Sequence, residues 1–306
     1  MELAFPIPHT IELPAITSKW ELDVTGEQQR ELAIWADQLG YAMIAVPEHF
    51  VIPNEHVGLS GKFYPASYAA MGFYAGATRN VRLNSCISLL PLQNPIITAK
   101  SLSTIDRLSS GRITVTFAAG WLKGEFDAMG VPFHERGAMC DEYVPAIIEL
   151  WTKENPEFEG KYVSFKDVSF EPKCFTKPHL PIWFGGEAPP VLRRIARHGT
   201  GWWPFLTKPE QLPERLDYIR SQPDYNGTLS EVYYTAANSR IGEGHVTLDD
   251  PDSRLGTTKQ ELVDRLGWLG ELGVTISSLP IPEVRGVAEY RDFAQWVAEE
   301  IMPAIR

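Results

Sequence analysis

The sequence predicts a single (β/α)₈ barrel, in which eight parallel strands alternate with helices, and three observations support this. Apolar runs typical of buried strands alternate with segments of helical periodicity about eight times along the chain. The chain has 306 residues, of which 44% are hydrophobic, and barrels of this class reach that size as one domain. No Gly-x-Gly-x-x-Gly motif follows the first strand, which disfavours an open dinucleotide-binding sheet. We therefore expect residues 1–306 to form one barrel domain.

The first half of the chain contains four predicted strand–helix units. Strands are expected at residues 3–7, 43–46, 81–87 and 113–117. A capping box of Thr25 and Gln28 opens the first helix, which ends at Gly40. A second helix runs from Pro65 to Gly76. Asn94 and Pro95 have the residue types of an N-cap and a first turn, and predict a third helix that extends towards Gly111.

The second half continues the alternation with longer connections. Two helical patterns follow Gly120, and the second contains Pro145, which we expect in the first turn or at a kink. Residues 155–177 are polar and proline-rich and predict an insertion, such as a small hairpin. Further strands are expected at 181–184, 201–205, 232–236 and 274–279. Pro189, the capping box of Thr258 and Glu261, and the apolar face over 290–301 mark the accompanying helices.

Composition narrows the possible partners. The net charge of −11 argues against a nucleic acid or an anionic membrane surface as partner. No apolar run approaches the roughly 20 residues that span a bilayer, and no secretory signal is recognised at the N-terminus. The three cysteines, Cys86, Cys140 and Cys174, lack metal-ligand spacing and cannot all pair. We therefore expect a reduced, cytoplasmic protein without a metal site.

In a (β/α)₈ barrel the active site lies at the carboxyl ends of the strands, and His49 directly follows the second predicted strand. A histidine can donate or accept a proton near neutral pH, so His49 is the best candidate for acid–base catalysis. A histidine that only caps a loop is an equally weighted alternative. The adjacent Glu48 is either a structural carboxylate or an orienting partner.

Two further features could serve a cofactor. Gly185 and Gly186 join a strand to a helix, where free amides can bind phosphate, although an ordinary tight turn has the same sequence. Aromatic side chains after the strands could enclose a flat ring, although tryptophans are more often core residues; they are Trp121, Trp202 and Trp203. Arginines could pair with phosphate, although ion pairs are the commoner role; they are Arg107, Arg112 and Arg136.

Four stretches, taken in order, resemble the luciferase-like oxidoreductases, especially the members that use coenzyme F420. The first stretch runs from Leu39-Gly40-Tyr41 to Val46-Pro47-Glu48-His49-Phe50. The others are residues 90–112 with Asp-Arg-Leu-Ser-Ser-Gly-Arg, residues 120–136 beginning Gly-Trp, and residues 181–202 with Pro-Ile-Trp-Phe-Gly-Gly. Each motif is weak alone, but the order and spacing of the four are specific and cover nearly the whole chain.

The resemblance implies a barrel, often dimeric, that binds FMN or the deazaflavin F420 at its mouth. It places the family's acid–histidine pair on Glu48 and His49, with the histidine at the reactive ring. It places a non-prolyl cis peptide at Cys86 and Ile87, and the phosphate-binding turn at Gly185 and Gly186. Trp121 and Trp202 are expected to contact the cofactor. Pro145 and the Asn84-Ser85-Cys86 run depart from the family's usual residues.

The expected function is an F420-dependent oxidoreductase that transfers a hydride between the deazaflavin and a small organic substrate. We favour F420 because residues 120–136 are most similar to that branch of the family. The alternative is an FMN-dependent, two-component monooxygenase. A reductase partner would supply the reduced cofactor, and a homodimer is expected. A non-catalytic cofactor-binding relative is a third possibility, but the presence of His49 argues against it.

Overall fold

The computed structural model describes residues 1–14, 16–235, 240–242, 245–247, 258–282 and 284–305. Its strands are β1 (Glu2–Phe5), β2 (Met43–Val46), β3 (Arg82–Leu89), β4 (Ile113–Ala118), β5 (Phe158–Glu159), β6 (Ser164–Phe165), β7 (Ile182–Gly185), β8 (Gly201–Trp203), β9 (Glu231–Thr235), β10 (Arg240–Gly242), β11 (His245–Thr247) and β12 (Ile276–Ser278). Eight of them close a parallel barrel in the order β1-β12-β9-β8-β7-β4-β3-β2. The predicted (β/α)₈ fold is confirmed.

The helices connect these strands and surround the barrel. They are α1 (Gly26–Leu39), α2 (Val57–Ser60), α3 (Ser67–Ala77), α4 (Pro95–Leu108), α5 (Lys123–Met129), α6 (Arg136–Thr152), α7 (Pro189–His198), α8 (Leu212–Arg220), α9 (Lys259–Glu271) and α10 (Val287–Trp296). The caps follow the sequence: the Thr25 side chain accepts the Gln28 amide, and Asn94 accepts the amides of Ile96 and Ile97. Within the described part of the chain, none of these helices has the length and apolar character needed to cross a bilayer.

The structure agrees with two local predictions, narrows a third and adds a helix that was not predicted. Residues 155–177 do contain a small hairpin, because β5 and β6 pair antiparallel. Pro145 was expected in the first turn or at a kink; because α6 begins at Arg136 and the proline lies inside the helix, the first-turn alternative is wrong. The helix α8 was missed, although Leu212 is buried on the face it shares with two other apolar side chains of that helix. The predicted strand at 232–236 matches β9, apart from Ala236, which lies outside the described residues.

The barrel interior is filled by side chains rather than open. The inward-facing apolar residues form one cluster, which consists of Ala4, Met43, Trp183, Trp203, Tyr233 and Ile276. Gly201 is required beside the Trp183 indole, because a Cβ at Gly201 would lie 2.3 Å from the Trp183 Nε1. The outward-facing strand residues pack against the helices in the main core. Chemistry is therefore confined to the ends of the barrel.

An ion-pair network lies at the amino ends of the strands. The Arg82 guanidinium lies 2.7 Å from a carboxylate oxygen of Glu231 and 3.4 Å from one of Glu2. A cleft of about 820 Å³ opens here, lined partly by Glu2 and Glu231. Because these charges are paired with one another, we interpret this end as structural.

Candidate active site

His49 lies immediately beyond β2, at the mouth of the barrel, and is held by a carboxylate from another element. Its Nδ1 lies 2.8 Å from Oε2 of Glu125, and the His49 side chain keeps 13% of its surface exposed. A carboxylate can only accept, so Nδ1 carries the proton in this contact. The imidazole is therefore oriented with its other nitrogen, Nε2, free of this carboxylate.

Glu125 is held in place by backbone amides as well as by its contact with His49. It lies in the first turn of α5 and is 1% exposed. Its second oxygen, Oε1, accepts the backbone amides of Phe50 at 2.6 Å and Val51 at 3.4 Å. These bonds compensate the burial of the carboxylate and join the loop after β2 to the loop after β4. Glu125 is the functional candidate that the sequence did not single out.

Aromatic rings surround the exposed side of His49. The Tyr64 ring stands edge-on to the imidazole with ring centroids 4.7 Å apart. The half-buried Trp121 ring lies 6.4 Å away and also contacts His56, at 5.8 Å. Burial raises the pKa of Tyr64, so its hydroxyl stays protonated at neutral pH. Of the predicted site residues, His49 and Trp121 are thus brought together.

Glu48 points away from this group and anchors the elements behind it. Its Oε1 accepts the Leu89 amide at 3.1 Å and the Gln93 side-chain amide at 2.9 Å, while Oε2 accepts the Ser67 hydroxyl at 2.5 Å. Glu48 is 5% exposed, and burial raises its pKa. Of the two roles left open by the sequence, the contacts favour the structural carboxylate. A direct catalytic role for Glu48 stays a prediction.

The end of β3 places Cys86 and Ile87 beside the glycine turn. The peptide bond between them is cis, as the resemblance implied. Cys86 packs against the inner barrel cluster, and burial raises the pKa of its thiol well above the ordinary value. The Ile87 side chain lies over Gly185, where a Cβ would come within 2.7 Å of the Ile87 Cδ1. Gly185 is therefore the residue that lets the Ile87 side chain occupy the mouth.

Gly186 has a positive φ of 108°, and both of its backbone polar groups are already bonded. Its amide donates to the Trp203 carbonyl at 3.0 Å, and its carbonyl accepts the Trp202 indole N–H at 2.8 Å. Trp202 is 0% exposed, because its side chain points from β8 into the outer core. Trp202 thus supports the turn from behind, and its contact with a cofactor, like those of Gly185 and Gly186, stays a prediction.

Two of the arginines considered as phosphate partners are bonded to backbone carbonyls instead. Arg112 donates to the carbonyls of Ala75, Thr78 and Val81, and so binds the carboxyl end of α3. Arg136 donates to the carbonyl oxygens of Gly120 and Phe133, and its guanidinium lies 3.8 Å from the Phe133 ring centroid. The third arginine, Arg107, is exposed at the end of α4. Among the described residues there is no cluster of side chains arranged to hold a metal ion.

Comparison with known proteins identifies the family. The family model described as luciferase-like monooxygenase matches residues 10–239, which include β2, β3, β4, β7 and β8 and the mouth residues above. The chain belongs to the luciferase-like monooxygenase family. This confirms the resemblance found in the sequence.

The proteins that this chain is similar to are named for different cofactors. The chain is 28% identical over 222 residues to the FMNH₂-dependent dimethylsulfone monooxygenase of Pseudomonas putida, covering 70% of this chain and 57% of that protein. It thus spans less than two thirds of the length of such curated relatives. The crystal structure of monooxygenase RslO1 from Streptomyces bottropensis superposes with a TM-score of 0.78 and 23% identity, covering 100% of both chains. An F420-dependent secondary alcohol dehydrogenase, in complex with an F420–acetone adduct, superposes with a TM-score of 0.73 and 19% identity, covering 100% of this chain and 99% of that one.

Proposed function

We propose that this protein is an F420-dependent oxidoreductase that transfers a hydride to or from a small organic substrate while His49 moves the accompanying proton. The observation that carries the proposal is the His49–Glu125 pair at the mouth of the barrel, with Nδ1 and Oε2 2.8 Å apart. An oxidoreductase that interconverts an alcohol and a carbonyl needs such a group, because the oxygen gains or loses a proton as carbon exchanges the hydride.

The mouth residues fit the ring of a flavin or deazaflavin. The apolar Ile87 side chain lies over Gly185 on one side, where the glycine adds no side chain of its own. Trp121 and His49 stand on the rim on the β2 and β4 side. When bound, the deazaflavin would supply the hydride-accepting or hydride-donating carbon. The chain supplies orientation, exclusion of water and the proton.

Glu125 acts through His49 rather than on the substrate. Because it accepts the Nδ1 proton, the neutral imidazole presents a lone pair at Nε2. Nε2 can then take the proton of a substrate hydroxyl during oxidation, or return it to the oxygen during reduction. The buried carboxylate compensates the positive charge on the imidazole while the proton resides there.

A second candidate is an FMNH₂-dependent monooxygenase, and the likeness to the dimethylsulfone monooxygenase favours it. Reduced FMN would then be delivered by a separate reductase, and His49 would serve the proton transfers of oxygen chemistry. Both candidates share a ring at the same mouth and a small organic substrate. We also expect the homodimer that the family resemblance implies.

A binding titration separates these functions. Oxidised F420 and FMN are titrated into the purified protein, and the ultraviolet–visible spectrum and the intrinsic fluorescence are followed. We expect one ring system to bind with a Kd tighter than tens of micromolar, equivalent to about −6 kcal/mol. F420 binding supports hydride transfer, and a preference for FMN supports the monooxygenase. Failure of both to bind at tens of micromolar would reject the proposed function.

A further inference from the structure

Three hydroxyl groups from β9 and β12 bond to one another inside the mouth of the barrel. Tyr233 belongs to the inner cluster of the barrel, and its hydroxyl donates to Oγ of Ser278 at 2.6 Å. The Ser278 hydroxyl in turn donates to Oγ1 of Thr235 at 3.4 Å. Thr235 is the last residue of β9 and Ser278 the last of β12. This hydroxyl cluster (Tyr233, Ser278 and Thr235) therefore lies at the same end of the barrel as His49.

The hydrogen bonds of the hydroxyl cluster run towards Thr235. Burial raises the pKa of Tyr233, so its phenol stays protonated and can donate at neutral pH. Its ring is held against Trp203, with the ring centroids 3.7 Å apart. Each hydroxyl has a single hydrogen, which Tyr233 uses on Ser278 and Ser278 uses on Thr235. The hydrogen of the Thr235 hydroxyl is thus left for an acceptor outside the cluster, and the bonds behind it strengthen it as a donor.

The surface that faces the hydroxyl cluster across the mouth is apolar. In the closed sheet, β8, β7 and β4 separate β9 from β3 in one direction, and β12, β1 and β2 separate them in the other, so β9 and β3 lie opposite each other. On the β3 side, the Ile87 side chain lies over Gly185, and Cys86 packs against the inner cluster that also contains Tyr233. The mouth thus offers apolar contact at β3 and β7 and a hydrogen-bond donor at β9.

We infer that the hydroxyl cluster binds a carbonyl oxygen at the pyrimidinedione end of the cofactor ring, with the Thr235 hydroxyl as the donor. FMN and F420 share this end, whose carbonyl oxygens accept hydrogen bonds, and the opposite, benzenoid end of each ring suits the apolar side at Ile87. The inference rests on the proposed function, because it assumes that such a ring binds at the mouth. It goes beyond that function in naming the residues that orient the ring and the end that they bind.

Infrared spectroscopy of the bound ring, together with equilibrium binding, tests this. FMN or F420, whichever binds, is labelled with carbon-13 at the pyrimidinedione carbonyls, and difference spectra locate their stretching bands. Thr235→Val keeps the shape of the side chain and removes the hydroxyl. We expect one carbonyl band to move to higher frequency and Kd to rise about three- to tenfold, which is the worth of one neutral hydrogen bond. Thr235→Ser, which keeps a hydroxyl, should restore both readings.

Two further variants assign the effect to the hydroxyl cluster, with thermal unfolding as the control for folding. Tyr233→Phe removes the first donor and should shift the same band by a smaller amount. Ser277→Ala is the matched control, because it removes a buried hydroxyl of β12 that donates to the Tyr234 carbonyl at 2.6 Å, and it should change neither reading.

The outcomes separate this inference from the proposed function. Carbonyl bands that stay unshifted in Thr235→Val, with the ring still bound, would overturn the inference and leave the proposed function standing. If neither FMN nor F420 bound to the unaltered protein, the proposed function would fall and the inference with it.

Discussion

The role of Glu125 gives the sharpest prediction, because the geometry dictates what an isosteric amide must do. In Glu125→Gln, the amide oxygen is expected to take the position of Oε1, since it must accept the Phe50 amide that donates at 2.6 Å. The amide NH₂ group then faces Nδ1 of His49, 2.8 Å away. Because NH₂ can only donate, Nδ1 becomes an acceptor and the imidazole proton moves to Nε2.

The expected loss of activity follows from the move of the imidazole proton from Nδ1 to Nε2. A hydrogen bond to a charged group contributes about 1.5–3 kcal/mol, equivalent to a factor of roughly 10 to 150. The variant also presents a protonated Nε2 where the base should be, so substrate oxidation should fall by at least about 100-fold. Stability should change little, because the Phe50 amide keeps its acceptor.

Nitrogen-15 NMR of imidazole-labelled protein measures the tautomer directly, and steady-state turnover across pH measures the consequence. Glu27→Gln, an exposed carboxylate on α1 paired with Arg30, is a matched control that should alter neither reading. The reasoning would be refuted if Glu125→Gln kept the Nδ1-protonated tautomer, or if it kept full turnover with an altered tautomer.

Three further predictions concern neighbouring residues. His49→Ala should leave the fold and ring binding nearly intact but lower turnover by about 100-fold or more, whereas the exposed His134→Ala should be neutral; unfolding of the first variant would show a structural histidine. Glu48→Ala should lower the free energy of unfolding by about 2–4 kcal/mol in denaturant melts, because buried donors lose their acceptor. The folded-state pKa of Glu48 is raised above 4.5, so the pH-dependent part of its contribution to stability is complete below that pH and is lost as the pH rises through the raised value. Glu48→Gln should therefore flatten the pH dependence of stability in this window, and an unchanged profile would contradict the assignment. Gly185→Ala should displace Ile87 and weaken ring binding at least tenfold in the titration, with near-normal melting; unchanged affinity would remove this pair from the proposed ring site.

Features encoded by neighbouring residues were predictable. The capping residues Thr25, Asn94 and Thr258 act on amides two or three positions away, so their helices could be predicted from sequence alone. The position of His49 followed from the rule that barrel strands present functional groups at their carboxyl ends. The missed helix α8 did carry a local signal, in the spacing of Leu212 and the apolar residues that follow it.

Features that depend on distant pairing were not predictable. Glu125 lies 76 residues from His49, and no periodicity relates them. Whether Trp202 or Trp203 faces the barrel interior depends on the register of β8 against β7, which pairs Trp202 with Phe184. The availability of amides at the glycine turn was likewise hidden, because Gly186 bonds to the next strand and Glu187 to the loop beyond it. The sequence predicted where the mouth of the barrel lies, but not which backbone amides there are already hydrogen-bonded.

The filled interior has a consequence for protein engineering. Trp183 lies in the barrel interior against Gly201, so the frame is stabilised by contacts away from the mouth. The segments after β2 and β4, which carry His49 and Glu125, are bonded to each other. Grafting both loops together should therefore transfer the dyad to another barrel of this shape, whereas grafting either loop alone would separate the histidine from its carboxylate.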